Sequence, residues 1–105
     1  MQEPRYKYSP QQLSLLSRQL LRNWYLLHAP SNLISSEVAV RWIQRYALDI
    51  IDDAIQITAD WAKRKAEQGV ILENHAALAY ASAVMRNKTW QRDALAESAK
   101  QGGQR

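Results

Sequence analysis

Cations grouped around a tryptophan are the first chemistry this chain offers. Arg86, Lys88 and Arg92 flank Trp90 within a single short stretch. Guanidinium and ammonium groups hold phosphate oxygens, and an indole face stacks on a base, so the set has the composition of a nucleic-acid contact. A second basic run, Lys63-Arg64-Lys65, and a pair one helical turn apart, Arg41 and Arg45, bring the same charge without the aromatic. The structural alternative for Trp90 is a lid: a tryptophan near a helix start folds back over the preceding helix and closes the core. The residues alone leave both open.

Other chemistries lack a residue set. There is no Cys, so thiolate metal sites and disulfides are excluded. His28 and His75 are the only histidines, and no HExxH spacing exists. The three glycines are isolated or in the tail, which removes a Gly-rich phosphate loop. Asp49, Asp52, Asp53 and Asp60 suggest paired carboxylates, with Asp49 and Asp53, and Asp53 and Asp60, sharing a helix side at one- and two-turn spacing. Catalytic or two-metal carboxylates usually come from several elements, however, and acidic groups at a helix start already suit the macrodipole. The expectation is a protein that is not an enzyme and needs no metal or cofactor.

Fourteen Lys and Arg face ten Asp and Glu, for a net charge of +4, compatible with a polyanion partner. Nine of those cations are Arg, the better residue for phosphate and for stacking. Four Trp and five Tyr with no Phe give every aromatic a polar handle. At 105 residues the chain suits one domain with one core. No run of about eighteen apolar residues is present, so no membrane span is expected. The N-terminus lacks the apolar centre of a secretory signal, which makes a cytoplasmic protein the expectation.

The elements that position these groups read as helices. The surest runs from Asp49, taken as its cap, to Gly69 at the left-handed C′ position. Ile50, Ile51, Ala54, Ile55, Thr58, Trp61, Ala62 and Lys65 form its stripe. Ser9-Pro10-Gln11-Gln12 predicts the start of a first helix ending near His28, with Leu13, Leu16, Leu20, Trp24 and Leu27 on one face and Leu15, Leu21 and Tyr25 widening it. Ser35 or Ser36 caps a second helix bearing Val38, Trp42, Ile43 and Tyr46. The pattern at Tyr46-Ala47-Leu48 favours a break before the third helix. Val70-Ile71-Leu72 reads as a linker plugging the core edge, and Asn74 as the cap of a fourth helix. Arg86-Asn87-Lys88-Thr89 interrupts that stripe, with Thr89 capping a last helix. If the fourth helix returns antiparallel to the third, Arg86 lies near the start of the third helix, far from Lys63.

From residue 38 to about 90 the order of features resembles the DnaD/DnaB-like family of primosomal and replication-initiation proteins. Trp42 and Tyr46 stand for its aromatic before a turn. Ile50, Ile51, Ala54 and Ile55 stand for its I-I-x-x-A-I helix, followed by Gly69 in the polar interval. Tyr80, Val84, Met85 and Asn87 stand for its final Y-x-x-x-I-L-x-N-W. The chain departs from the pattern at Lys88, where the family has Trp, with Trp90 coming two residues late; its linker is short and its first helix has no counterpart. The resemblance implies DNA binding around Arg86 to Arg92, oligomerisation, and a role in loading a replicative helicase.

The expected fold is an all-α, single-domain bundle of four or five helices. Residues 1–8 form a loose N-terminal arm that Tyr6 and Tyr8 can dock, 9–100 the helical domain and 101–105 a frayed tail. The expected function is a small basic nucleic-acid-binding accessory protein, with DNA ahead of RNA, using Lys63, Arg64, Lys65, Arg86, Lys88, Trp90 and Arg92. The alternative is a helical adaptor or small regulator without nucleic-acid contact. It would self-associate as a homodimer through Leu15, Leu21, Tyr25 and Leu26, or pair with a helical protein partner.

Overall fold

A computed structural model describes residues 4–27 and 34–102. Four α-helices follow in order: α1 (Pro10–Leu27), α2 (Ser36–Arg45), α3 (Leu48–Glu67) and α4 (Asn74–Gly102). The described residues contain no strand, so the chain is a single-domain all-α bundle. His28, near which the first helix is expected to end, lies with the rest of 28–33 outside the described residues.

Local chemistry sets most boundaries. At α1 the Ser9 Oγ accepts from the Gln12 N–H (3.2 Å) while the Gln12 side chain accepts from the Ser9 N–H (2.9 Å), a reciprocal capping box. Ser35 caps α2 through the Val38 N–H. Gly69, at φ +82°, closes α3: its N–H reaches the Ala66 carbonyl and that of Val70 reaches the Lys65 carbonyl, the paired bonds of a Schellman turn.

Elsewhere the structure departs from the sequence expectations. The break between α2 and α3 is present, with Tyr46 and Ala47 both extended, but Ala47 occupies the cap position and makes no side-chain cap bond. Asp49 is already inside the helix. Asn74 is the first residue of α4 and not its cap; the Glu73 carbonyl accepts from the Ala77 N–H, and the Asn74 Oδ1 is buried without a partner. No interruption occurs at Arg86 to Thr89, because neither Gly nor Pro stands there and α4 runs on unbroken, leaving the Thr89 Oγ1 buried and unpaired. Val70-Ile71-Leu72 does not plug the core: Ile71 is 89% exposed. The arm is not loose over residues 4–8. The Tyr6 N–H donates to the Gln44 carbonyl, Tyr8 packs on the core, and Arg5 grips Asp93. The tail is helical through Gly102, and 103–105 lie outside the described residues.

The core joins Leu20 and Trp24 of α1 to Ala39, Trp42 and Ile43 of α2, and those in turn to Ile50, Ile51, Ala54 and Ile55 of α3. Trp24 meets Trp42 with ring centroids 5.8 Å apart. α4 adds Ala77, Ala81 and Met85 by packing on α3, where Trp61 stacks on Tyr80 at 4.0 Å. No Cα of α2 comes within 8 Å of α4. α3 is therefore central, and α1, α2 and α4 each pack on it. Trp24 is 1% exposed, so Trp24→Ala is expected to cost about 3–5 kcal/mol in chemical denaturation. That is a large part of the roughly 5–15 kcal/mol that holds a domain together.

Candidate nucleic-acid interface

The antiparallel return of α4 separates the basic groups as the sequence implied. Lys63, Arg64 and Lys65 lie at the far end of α3, with Lys65 half-buried and the other two exposed. Arg86, Lys88, Trp90 and Arg92 lie along α4 near the start of α3.

Arg92 is not a free cation. Both its terminal nitrogens donate to the Asp49 carboxylate, at 3.1 and 2.6 Å. Arg5 makes the matching pair with Asp93, at 2.9 and 2.8 Å. Each guanidinium holds its carboxylate below the ordinary range through these bonds, and is itself raised. Asp52 moves the other way, mainly because its carboxyl sits at the lip of a cleft under α1 lined by Leu16, Leu20 and Ile51, and also because Asp53 and Asp49 are near. Asp60 accepts from Gln56. No three His, Asp or Glu side chains of the described residues come together as metal ligands.

The feature that sequence spacing missed is a cleft of about 270 Å³ between α2 and α4. Val38, Trp42, Leu78 and Ala79 give it apolar walls and Tyr46 and Ser82 add hydroxyls; Arg41, Arg45 and Arg86 line it as well. Arg41 and Arg45 read as a minor pair because their partner across the cleft is over forty positions away in the chain. None of the three is paired with a carboxylate among the described residues. Like charges one turn apart cost a helix about 0.2–0.5 kcal/mol, so the arrangement is unfavourable without an anion. Lys88, half-buried, lines a second cleft against Ile50 and Asp53.

Trp90 is 72% exposed and is not a lid on the core. The core beneath α4 is already closed by Ala77, Ala81 and Met85, and the angular step along the helix carries Trp90 to the outer side. It stands one turn beyond Arg86, on a neighbouring strip of surface. On α1, Leu15 is 57% and Tyr25 51% exposed, whereas Leu21 is half-buried against the core. The side chain of Leu26 lies outside the described residues. Among the described residues no helix is long and apolar enough to cross a membrane. No family model matches the chain, and comparison with curated proteins and with solved structures gives no match.

Two measurements follow from this geometry. Trp90→Ala should leave stability within about 0.5 kcal/mol of the parent, as surface changes usually do, when melted beside Trp24→Ala. Asp49 and Asp93 have lowered pKa values, so their contribution is complete above the ordinary value of 3.8 and disappears as pH falls below it. Melting temperature should therefore drop on acidification through that range. The drop should be shallower in the Asp49→Asn/Asp93→Asn double variant, and an unchanged slope would mean the pairs do not persist in solution.

Proposed function

We propose that the chain is a small basic nucleic-acid-binding accessory protein whose contact surface is the α2–α4 cleft and the neighbouring outer face of α4. The observation that carries this reading is the gathering of Arg41, Arg45 and Arg86 around one cleft without a carboxylate among its lining residues. Cations collected without counter-ions raise the local potential and favour a polyanion. The exposed Trp90 beside Arg86 supplies the stacking face that such a surface uses for single strands. Lys63, Arg64 and Lys65, at the other end of α3, belong to a separate and secondary patch. A DNA partner, a cytoplasmic setting and a part in replication initiation or helicase loading are drawn from the sequence and from the family resemblance. They remain part of the proposal on that basis.

The second reading, a self-associating helical adaptor, draws on the exposed Leu15 and Tyr25 of α1. Steps of three, four and three residues place Leu15, Arg18, Arg22 and Tyr25 on one outer ridge, so two exposed cations separate the two apolar groups. A homodimer through this ridge would bring like charges together, which favours the nucleic-acid reading.

Titration of labelled single- and double-stranded DNA at several salt concentrations tests both. Affinity should fall steeply with salt, and each of Arg41→Gln, Arg45→Gln and Arg86→Gln should reduce the log–log slope by about 1. Absence of binding at low salt, together with a concentration-dependent dimer weakened by Leu15→Ala, would make the adaptor the better account.

A further inference from the structure

General attraction to a nucleic-acid backbone needs only a basic surface, and the cleft between α2 and α4 is more particular than that. Arginines line it on two walls, Arg41 and Arg45 from α2 and Arg86 from α4. The hydroxyl-bearing Tyr46 and Ser82 line it too, and the remaining wall is apolar. At about 270 Å³ it lies just under the usual range for small-ligand pockets, the scale of one compact group and not of a strand. An internal phosphodiester brings one negative charge and two free oxygens. A phosphate monoester brings close to two charges near neutral pH and three acceptor oxygens. Three guanidinium forks, each able to give two parallel N–H···O bonds, match the second better than the first.

We propose that this cleft is a binding site for a phosphate monoester, held by Arg41, Arg45 and Arg86. The inference rests on the nucleic-acid reading above, in which the monoester is the terminal phosphate of a strand; a free nucleoside monophosphate presents the same chemistry. Trp90 extends the site. Residues one turn apart on a helix have Cβ atoms about 5–6 Å apart. A phosphate on Arg86 therefore leaves the base attached to it within reach of the exposed indole face of Trp90. Phosphate in the cleft and base on the outer face of α4 together describe recognition of a strand end.

The test uses the full chain with three labelled single-stranded oligonucleotides of one sequence, carrying a 5′-phosphate, a 3′-phosphate or neither, and with adenosine monophosphate alone. A phosphate at one of the two ends should strengthen binding by about tenfold, the scale of one charge-assisted hydrogen bond. Arg41→Gln and Arg86→Gln should abolish that advantage, while Lys63→Gln, at the far end of α3, should leave it. The two cleft arginines are exposed and unpaired, so these variants should melt like the parent. Equal affinity for all three oligonucleotides overturns the monoester site and leaves the nucleic-acid reading standing. An end preference that survives both arginine variants overturns the assignment to this cleft. Adenosine monophosphate shifting the arginine N–H resonances, with no oligonucleotide bound, keeps the site and overturns the nucleic-acid reading. No response to any of the four overturns both.

Discussion

The burial of α3 beneath three other helices is the constraint from which the rest of the molecule follows. Ile50, Ile51, Ala54, Ile55 and Thr58 are all buried, and α1, α2 and α4 each pack against this one helix. Thr58 is tolerated there because its hydroxyl donates to the Ala54 carbonyl at 2.7 Å, leaving no unpaired donor in the apolar interior. On α4 the inward positions Ala77 and Ala81 are completely buried and small, which lets that helix sit close on α3. α2 and α4 then lean on the same support, with no Cα of one within 8 Å of the other. The space left between them is the cleft that Arg41, Arg45 and Arg86 line. A bundle in which α4 packed equally on α2 would have filled it.

The cations divide by what the fold does with them. Arg5 and Arg92 are spent on structure, each forked onto an aspartate, and together they tie the arm and the start of α3 to the same stretch of α4. Exposed pairs of this kind contribute little individually, and the bidentate geometry gives them position more than energy. Among the described residues Arg41, Arg45 and Arg86 have no carboxylate partner. A net charge of +4 therefore understates the local imbalance, because the neutralised arginines and the free ones occupy different surfaces.

Features encoded within a few residues were legible from sequence. Ser9 with Gln12, Ser35 with Val38, and Gly69 after Lys65 are each closed by hydrogen bonds spanning three to five positions. The failures share a different cause. Asp49 looks like a cap, but its carboxylate is taken by Arg92, forty-three positions away. Thr89 looks like a helix start only while the turn before it looks weak; in the fold that turn is held on α3 through Met85 and continues without a break. The arm reads as loose, docked by Tyr6 and Tyr8 at most, because the partners that hold it, Gln44 and Asp93, lie in other elements. The basic residues of α4 were legible as a group, yet their division into paired Arg92 and unpaired Arg86 was not. Neither was the pairing of Arg86 with α2 across the cleft. Such facts belong to tertiary packing, and no local periodicity carries them.

The far part of α4 shows how these levels meet. Residues 91–100 are all exposed, so packing gives this stretch little support. An isolated helix that short is marginal in water, even with good helix formers such as Ala94, Ala96 and Ala99. Its order depends on continuation from the packed turns before it, and on Arg92 and Asp93, which anchor it to α3 and to the arm at its base. Trp90 stands where the supported part gives way to the unsupported one. The indole there is exposed, and the residues two and three places on tie this stretch of α4 to α3 and to the arm. On the proposed reading, a base placed on Trp90 would not need to order the helix beneath it, and less of the contact energy would be consumed in doing so.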